Sequence, residues 1–402
     1  MKTPGEQTPP GAAPSDRIGR EQAPIAVAHI VESYLGLTET FIYDPLTAFR
    51  RVRPVVIARR LEHLDRFPVP PGASLHRSPP ARGTASWAIA TLKRLLSSAD
   101  THLQGILRRE GVRIVHAHFG PTACDVLDVI ERARLPLVTS FYGYDLSMKE
   151  VLAGYHERYR RLFEVGAAFL VEGSSMKGKL EALGCPSPKI RIHRIGIDLA
   201  RCRVRERAAH EGDAALLMCG RMVPKKGFPI ALRAVAEARS RGARLSLRLI
   251  GDGPDRPEVE SLVRALSLDG AVTILGSQPR EIFLEELSRA DIYLQPSLTA
   301  PDGDSEGGAP TTLLEAQACG LPILTTRHAD IPEIVREGAS ALLVEEGDVE
   351  GLAANIAALA ASPGRWTPMG RAGRAHVEAE HDIHRLTASL EDLYFSAGCH
   401  AP

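Results

Sequence analysis

The chain has 402 residues, with 49 Lys and Arg against 49 Asp and Glu. That length allows two domains with full cores, and the balanced charge argues against general nucleic-acid binding. No apolar run approaches the ~18 residues that cross a bilayer, and six dispersed cysteines without a C-x-x-C pair fit reduced thiols better than a disulfide framework or a zinc site.

Residues 1–22 are rich in Pro, Gly and Ala and carry no apolar h-region, so a disordered lead and a cytoplasmic location are expected. The β-branched run 25–31 (IAVAHIV) reads as a buried first strand. The chain then turns through Gly36 into a helix starting near Thr38. A second strand is expected over 54–58 and a loop over 68–80. Ile89, Leu92, Leu96, Leu103 and Leu107 have helical spacing, which predicts a helix over 87–109. A strand over 113–116 runs into the loop His116-Ala117-His118-Phe119-Gly120. Helix 124–134, strand 136–140 and the exit loop Phe141 to Asp145 come next. Helix 151–164, strand 167–172, helix 174–183 and a strand over 190–194 complete the first set.

Residues 199–213 read as a linker. The alternation then restarts with strand 215–219 and the basic loop 220–227 (GRMVPKKG). Helix 229–241, strand 245–250, the turn 251–254 (GDGP), helix 257–266, strand 271–275, helix 281–290 and strand 292–295 follow. Residues 302–326 form an acidic, Gly-rich loop, a short helix over 311–318 and a strand over 323–326. Terminal helices are expected over 348–361, 368–379 and 382–396. Strands alternating with helices mean βαβ units and parallel sheets. The expected organisation is two doubly wound α/β domains, 23–198 and 214–380, with a last helix, 382–397, packing back on the first. In such sheets ligands bind beyond the carboxyl ends of the strands, where every loop named here sits.

The stretch from Asp302 to Thr326 carries the strongest chemical signal. A Gly-rich loop feeding a helix N-terminus offers free backbone N–H groups and the positive end of the helix dipole, which suits phosphate. Gly308, Ala309, Pro310, Thr311 and Thr312 make that N-terminus, with Pro310 placed for a first helical position. The carboxylates Asp302, Asp304, Glu306 and Glu315 would repel phosphate, so sugar hydroxyls are their natural partners. Arg221 and Lys226, five apart in the basic loop, both reach a diphosphate, and Gly227 lets the backbone approach it. Two charge-assisted contacts of about 1.5–3 kcal/mol each would neutralise a leaving diphosphate without a metal. Asp302 and Asp304 lack a third ligand at useful spacing, so no metal is expected.

GRMVPKKG, LIGDGP, ADIYLQPS and SEGGAPTTLLEAQACGLPILTT, in this order, resemble the C-terminal half of the retaining GT-B glycosyltransferases of family 4. LTETFI, HAHFG and FYGYDLS resemble the sub-group that makes bacterial exopolysaccharides such as colanic acid. The likeness runs over about residues 24–397. It implies that Arg221 and Lys226 bind the donor diphosphate and that Glu315 accepts from ribose hydroxyls. It implies that Glu306 lies at the transferred sugar, His118 near that sugar and the acceptor hydroxyl, and Gly36 beside the donor. Glu306 and Glu315 are nine apart where the family has eight. Either the extra residue is absorbed before the helix and Glu306 keeps its place, or Gly307 takes it and the backbone or Asp304 contacts the sugar. Tyr142 stands where the sub-group has His.

Other polar residues carry bland readings. His116 reads as a structural strand-end histidine and Asp252 as a turn former. Glu39 and Thr40 either begin a helix or meet the acceptor, and Asp145 either caps or binds hydroxyls. Residues 50–110 hold twelve Lys and Arg against four acids. That is a solvated basic face or a contact with an anionic membrane surface or acceptor.

The expected activity is transfer of a hexosyl group from a UDP- or GDP-linked nucleotide sugar, a co-substrate rather than a cofactor, to a glycan or lipid-linked acceptor in cell-surface glycan synthesis. The alternatives are a glycosyltransferase for a soluble small molecule, and a GT-B-like epimerase, phosphorylase or inactive nucleotide-sugar-binding subunit.

Overall fold

The computed structural model describes residues 24–36, 38–79, 101–210, 212–308 and 310–399. The lead 1–22, Ala309 and the first part of the helix expected over 87–109 lie outside the described residues; that helix is described as Thr101–Arg109.

Seven parallel strands make the first sheet: β1 (Ile25–Tyr34), β2 (Val52–Leu61), β3 (Ser74–Arg77), β4 (Val112–His118), β5 (Leu137–Ser140), β6 (Ala168–Val171) and β7 (Ile190–Ile192). Their order is β3-β2-β1-β4-β5-β6-β7. The second sheet takes β8 (Ala214–Cys219), β9 (Leu245–Ile250), β10 (Val272–Gly276), β11 (Ile292–Gln295), β12 (Ile323–Thr326) and β13 (Ala341–Val344), in the order β10-β9-β8-β11-β12-β13. Each sheet reverses direction once, between β1 and β4 and between β8 and β11. The crevices at those two reversals are where such sheets take ligands.

Both central strands are apolar on both faces, as a sheet covered on two sides requires. In β1, Ala26, Ala28 and Ile30 pack with helix Gly120–Ala133, while Val27 faces the opposite layer. In β8, Leu216 and Met218 pack with Phe228, while Leu217 meets Leu313 and Leu314. Each unit is therefore a sheet between two helical layers.

The departures from expectation are local. β3 falls inside the expected 68–80 loop. Its sequence, SLHR, has one apolar residue, and it pairs only with β2, as Val55 to Ser74 through Ala58 to Arg77. An edge strand needs no apolar alternation. β13, the four-residue ALLV, was not anticipated; it is the opposite edge and pairs only with β12. β1 runs on to Tyr34, and the helix after it starts at Thr40 rather than Thr38. Helix Gly120–Ala133 starts four residues earlier than expected, with Pro121 in its first turn, where a missing N–H costs nothing.

The last helix, Ile383–Cys399, puts Leu390 and Tyr394 against Val27, Ile114, Val138 and Leu170 of the first sheet. Glu391 takes the N–H groups of Arg50 and Arg51 and the Arg51 guanidinium. Arg207, in the segment between the sheets, is 4% exposed and donates to the carbonyls of Arg205, Leu287, Ala290, Cys319 and Gly320. It closes the C-terminal ends of helices Arg280–Arg289 and Thr311–Ala318, the ends where a cation is favoured. Burial lowers its pKa to about 10, which leaves it charged at neutral pH.

The two units meet along the carboxyl ends of their strands. Asp330 caps helix Ser174–Ala182 across the boundary, accepting from Ser175 N at 2.7 Å and Met176 N at 3.3 Å.

Candidate active site

Helix Thr311–Ala318 is preceded by Pro310 as its cap residue, one position earlier than expected, and no side chain caps its N-terminus. Its first N–H groups therefore face the crevice between β8 and β11 without a protein partner from a cap. The loop after β8 faces the same crevice. Lys226 ends a short 3-10 turn, and Gly227 follows with φ 71°; a Cβ there would lie 1.9 Å from Pro296 O, so only glycine fits.

Lys226 and Glu306 form the centre. The Lys226 ammonium lies 2.7 Å from Glu306 Oε1 and 2.9 Å from Oε2. Oε1 also accepts from Ser297 Oγ at 2.8 Å and Gln295 Nε2 at 3.3 Å. Burial alone would raise the Glu306 pKa, but Lys226, Lys225 and the hydroxyl bond together hold it below its ordinary value. Gln295 Oε1 in turn accepts from Thr312 Oγ1 at 2.9 Å, joining the carboxylate to the helix N-terminus. Lys225 holds the neighbouring loop through Asp304 Oδ1 and Ser305 O, each at 3.0 Å. The Glu306 N–H donates to His328 Nε2 at 3.0 Å, and His328 Nδ1 meets Glu346 at 2.5 Å. His328 is therefore neutral at Nε2, with its proton on the Glu346 side. Arg221, in the same loop as Lys226, is exposed and makes no ion pair among the described residues. It is available to an anion.

Glu315 sits three residues further along the helix than Thr312. It is 5% exposed and pairs with Arg280 at 2.8 Å. Gly307 and Gly308 line the other side of the loop that carries Glu306. A Cβ on Gly307 would lie 1.9 Å from Tyr142 O, and one on Gly308 would lie 2.1 Å from Glu172 Cβ. The first unit thus presses its β5 and β6 exit loops directly onto the loop that carries Glu306. Of the two rivals for the first-Glu place, Glu306 alone has a side chain, and it pairs with Lys226.

Across the boundary the chemistry changes. His118, at the end of β4, meets Tyr142 OH through Nδ1 at 2.7 Å and His29 Nδ1 through Nε2 at 3.1 Å. His116, directly opposite His29 in the ladder, bonds Tyr394 OH at 2.6 Å and Ser140 Oγ at 2.7 Å. Burial, and then neighbouring imidazoles, push the pKa of His116 and His118 well below the ordinary range, and burial pushes His29 to about 3. All three are neutral at physiological pH. One nitrogen from each of these rings lies within 4.8 Å of the others, a spacing that a divalent ion could bridge. Yet every ring nitrogen except His29 Nε2 already has a protein partner, and no carboxylate is in the cluster. The donor set fits a hydrogen-bonded network better than a metal centre. A cavity of about 40 Å³ beside it is lined by His118, Tyr142, Glu172, His193 and Arg194.

The structure thus brings Arg221, Lys226, Gly227, Glu306, Gly308, Pro310, Thr311, Thr312 and Glu315 to one crevice. His118 lies on the other wall, reaching the loop that carries Glu306 through Tyr142. Gly36 lies in the loop after β1, where its N–H is bound by Glu39 at 2.8 Å. Asp145 is a cap: it accepts from Gly120, Tyr142 and Gly143 N–H groups, and burial raises its pKa to about 6. Asp252 shapes its turn by accepting from Gly253 N and pairing with Arg256. Sequence reasoning missed Lys225, Gln295, Ser297, Arg280 and His328. For Gln295 a signal existed, since a polar side chain ends a buried strand at a sheet reversal.

The profile of the family described as Glycosyl transferases group 1 matches residues 213–362. WcaL of Salmonella typhimurium, named as a colanic acid biosynthesis glycosyltransferase, is 35% identical over 243 residues, 60% of each chain. The amylovoran biosynthesis glycosyltransferase AmsK of Erwinia amylovora is 32% identical over 280 residues, 70% of this chain and 69% of that one. Among solved structures, Anabaena Alr3699/HepE in complex with UDP and glucose superposes with a TM-score of 0.73 at 16% identity, covering 92% of this chain and 99% of that one. That likeness is one of fold, the GT-B pairing of two parallel-sheet domains around a cleft. The chain belongs to the glycosyl transferases group 1 family.

Proposed function

We propose that this protein is a retaining family 4 transferase. It moves a hexosyl group from a UDP- or GDP-linked sugar to a hydroxyl of a glycan or lipid-linked acceptor in exopolysaccharide synthesis. The observation that carries this reading is the Lys226–Glu306 pair set against the uncapped N-terminus of helix Thr311–Ala318. Lys226, Arg221 and the N–H groups after Pro310 receive the diphosphate, while Glu306 turns its oxygens to the sugar hydroxyls. In the reaction the bond from the anomeric carbon to the phosphate oxygen breaks and the bond to the acceptor oxygen forms on the same face. The acceptor's proton passes to the departing phosphate, and the two cations with the helix dipole stabilise the charge that develops there. Gly36 and Gly308 give backbone approach to the donor, and Glu315 takes the ribose. Transfer to a polysaccharide acceptor is supported by the names of WcaL and AmsK.

Acceptors of this kind sit at a membrane surface. Among the described residues no helix is long and apolar enough to cross one. Arg51 and Arg59 of the basic segment are paired with Glu391 and Asp125 from outside it, and Arg53 with Glu110 within it, so only part of its excess charge is neutralised; Arg82, Lys93 and Arg94 lie outside the described residues. Exposed Leu61, Leu64 and Val69 add apolar surface to this segment as a peripheral contact. A thermal-shift screen against UDP-, GDP-, dTDP- and ADP-sugars tests the donor. One ligand at ~100 times its dissociation constant should add about 2.7 kcal/mol, and no shift with any of them overturns the reading. Mass spectrometry of donor consumed with and without acceptor separates transfer from epimerase or phosphorylase chemistry.

A further inference from the structure

Glu315 does not stand alone. Arg280, the first residue of helix Arg280–Arg289, reaches two carboxylates from opposite units. Its Nη2 lies 2.8 Å from Glu315 Oε1, and its Nη1 lies 3.0 Å from Oδ2 of Asp44, on helix Thr40–Ala48. Asp44 is 6% exposed and Glu315 5%, so the triad is largely out of water. The buried Arg280 Nε has no hydrogen-bond partner, leaving one donor beside Glu315 unspent. Among the described residues nothing else joins this carboxylate to the first unit at hydrogen-bond distance.

We propose that Arg280 is a positioning residue of the donor site, holding Glu315 for the ribose and, through Asp44, tying that grip to the closure of the two units. The first part rests on the donor reading above; the second stands on the triad alone. With one Glu315 oxygen fixed by the guanidinium, the other is aimed and remains free to accept. Arg280 also decides the charge of that carboxyl. Burial raises the Glu315 pKa, Arg280 is the largest influence lowering it, Asp44 raises it, and Arg201 lowers it from further away. Tyr293, Cys202, Cys219 and Cys319 are the other titratable groups around it.

Without Arg280 the carboxyl moves further up and takes a proton as the pH falls, which spoils it as an acceptor of two hydroxyls. The dissociation constants of UDP and GDP, measured calorimetrically for the parent, Arg280→Gln and Arg280→Lys, test this as variant-to-parent ratios, so that titration of the ligand's own phosphate cancels. For Arg280→Gln the ratio should be about tenfold near pH 6 and fall to about twofold near pH 8, while Arg280→Lys stays near one at both. No loss in Arg280→Gln at either pH overturns the Arg280 assignment, and a loss equal at both overturns its control of the carboxyl's charge; either result leaves the donor reading intact. Failure of the parent to bind either nucleotide overturns the donor reading itself. For closure, Asp44→Asn should raise the radius of gyration in small-angle scattering above that of the parent. An unchanged radius overturns the tie between the units.

Discussion

The two walls of the cleft are built from opposite electrostatic materials. The wall of the second unit is ionic: Lys226, Lys225 and Arg221 stand among Glu306, Asp304 and Glu315, most of them paired. On the first unit the histidine cluster is polar but uncharged, with His116 and His118 bonded to tyrosine and serine hydroxyls and His29 to His118, while Asp44 and Glu172 meet the second unit outside that cluster. Each material suits one substrate. A diphosphate needs fixed cations that lose nothing when it arrives, because they are already organised by carboxylates. An acceptor hydroxyl is neutral, and the imidazoles and hydroxyls of the histidine cluster can hydrogen-bond it without a charge. The proposed chemistry puts the developing negative charge on the second unit.

Removing charge from the ionic wall should therefore cost most. Lys226→Ala should lower turnover about 10²–10³-fold, the usual scale for losing one donor to a developing anion, measured as kcat with any donor found in the screen; turnover equal to the parent would break the contrast at its centre. Glu306→Gln keeps the shape but leaves Lys226 without its counter-ion, and a smaller fall of about tenfold in kcat/KM is expected.

The neutral wall should show itself in stability rather than rate. The folded pKa of His29 lies below its unfolded value, so its contribution is fully present above about pH 6.5 and is lost as the pH falls toward about 3. His116 and His118 act in the same direction, while Asp145, raised to about 6, opposes them below that pH. Urea unfolding should lose up to about 1.4 kcal/mol per pH unit for each such histidine over this window, and His29→Phe should flatten the slope. A slope unchanged by His29→Phe would show that His29 takes up its proton in the folded protein as readily as in the unfolded chain and sets no pH dependence. The smallest effect is expected at Tyr142→His, within about threefold in turnover, because either side chain can bond His118 and neither brings a permanent charge.

The same contrast explains what the sequence made legible. Local chemistry was readable: the strand and helix periods, Gly227 in its turn, the helix start after Pro310 and the Arg221–Lys226 spacing all follow from near neighbours. Two of the four edge strands were not: SLHR of β3 has one apolar residue and takes its structure from β2, and ALLV of β13 is short enough to read as helix or strand alike. The nine-residue gap between Glu306 and Glu315 left Glu306 and Gly307 as rivals, and the ion pair of Glu306 with Lys226, 80 residues away, was not legible. Arg280 was invisible for the same reason: its meaning comes from Asp44, 236 residues earlier, and from Glu315. Pairing between distant charges carries no local period.

The central claim is that the ionic wall exists for a diphosphate. The most direct measurement is a calorimetric series of nucleoside, nucleoside monophosphate and nucleoside diphosphate on the parent protein, with uridine and guanosine as bases. Two charge-assisted contacts of about 1.5–3 kcal/mol each predict that the diphosphate binds at least about a hundredfold tighter than the nucleoside. A nucleoside that binds as tightly as its diphosphate would contradict the account.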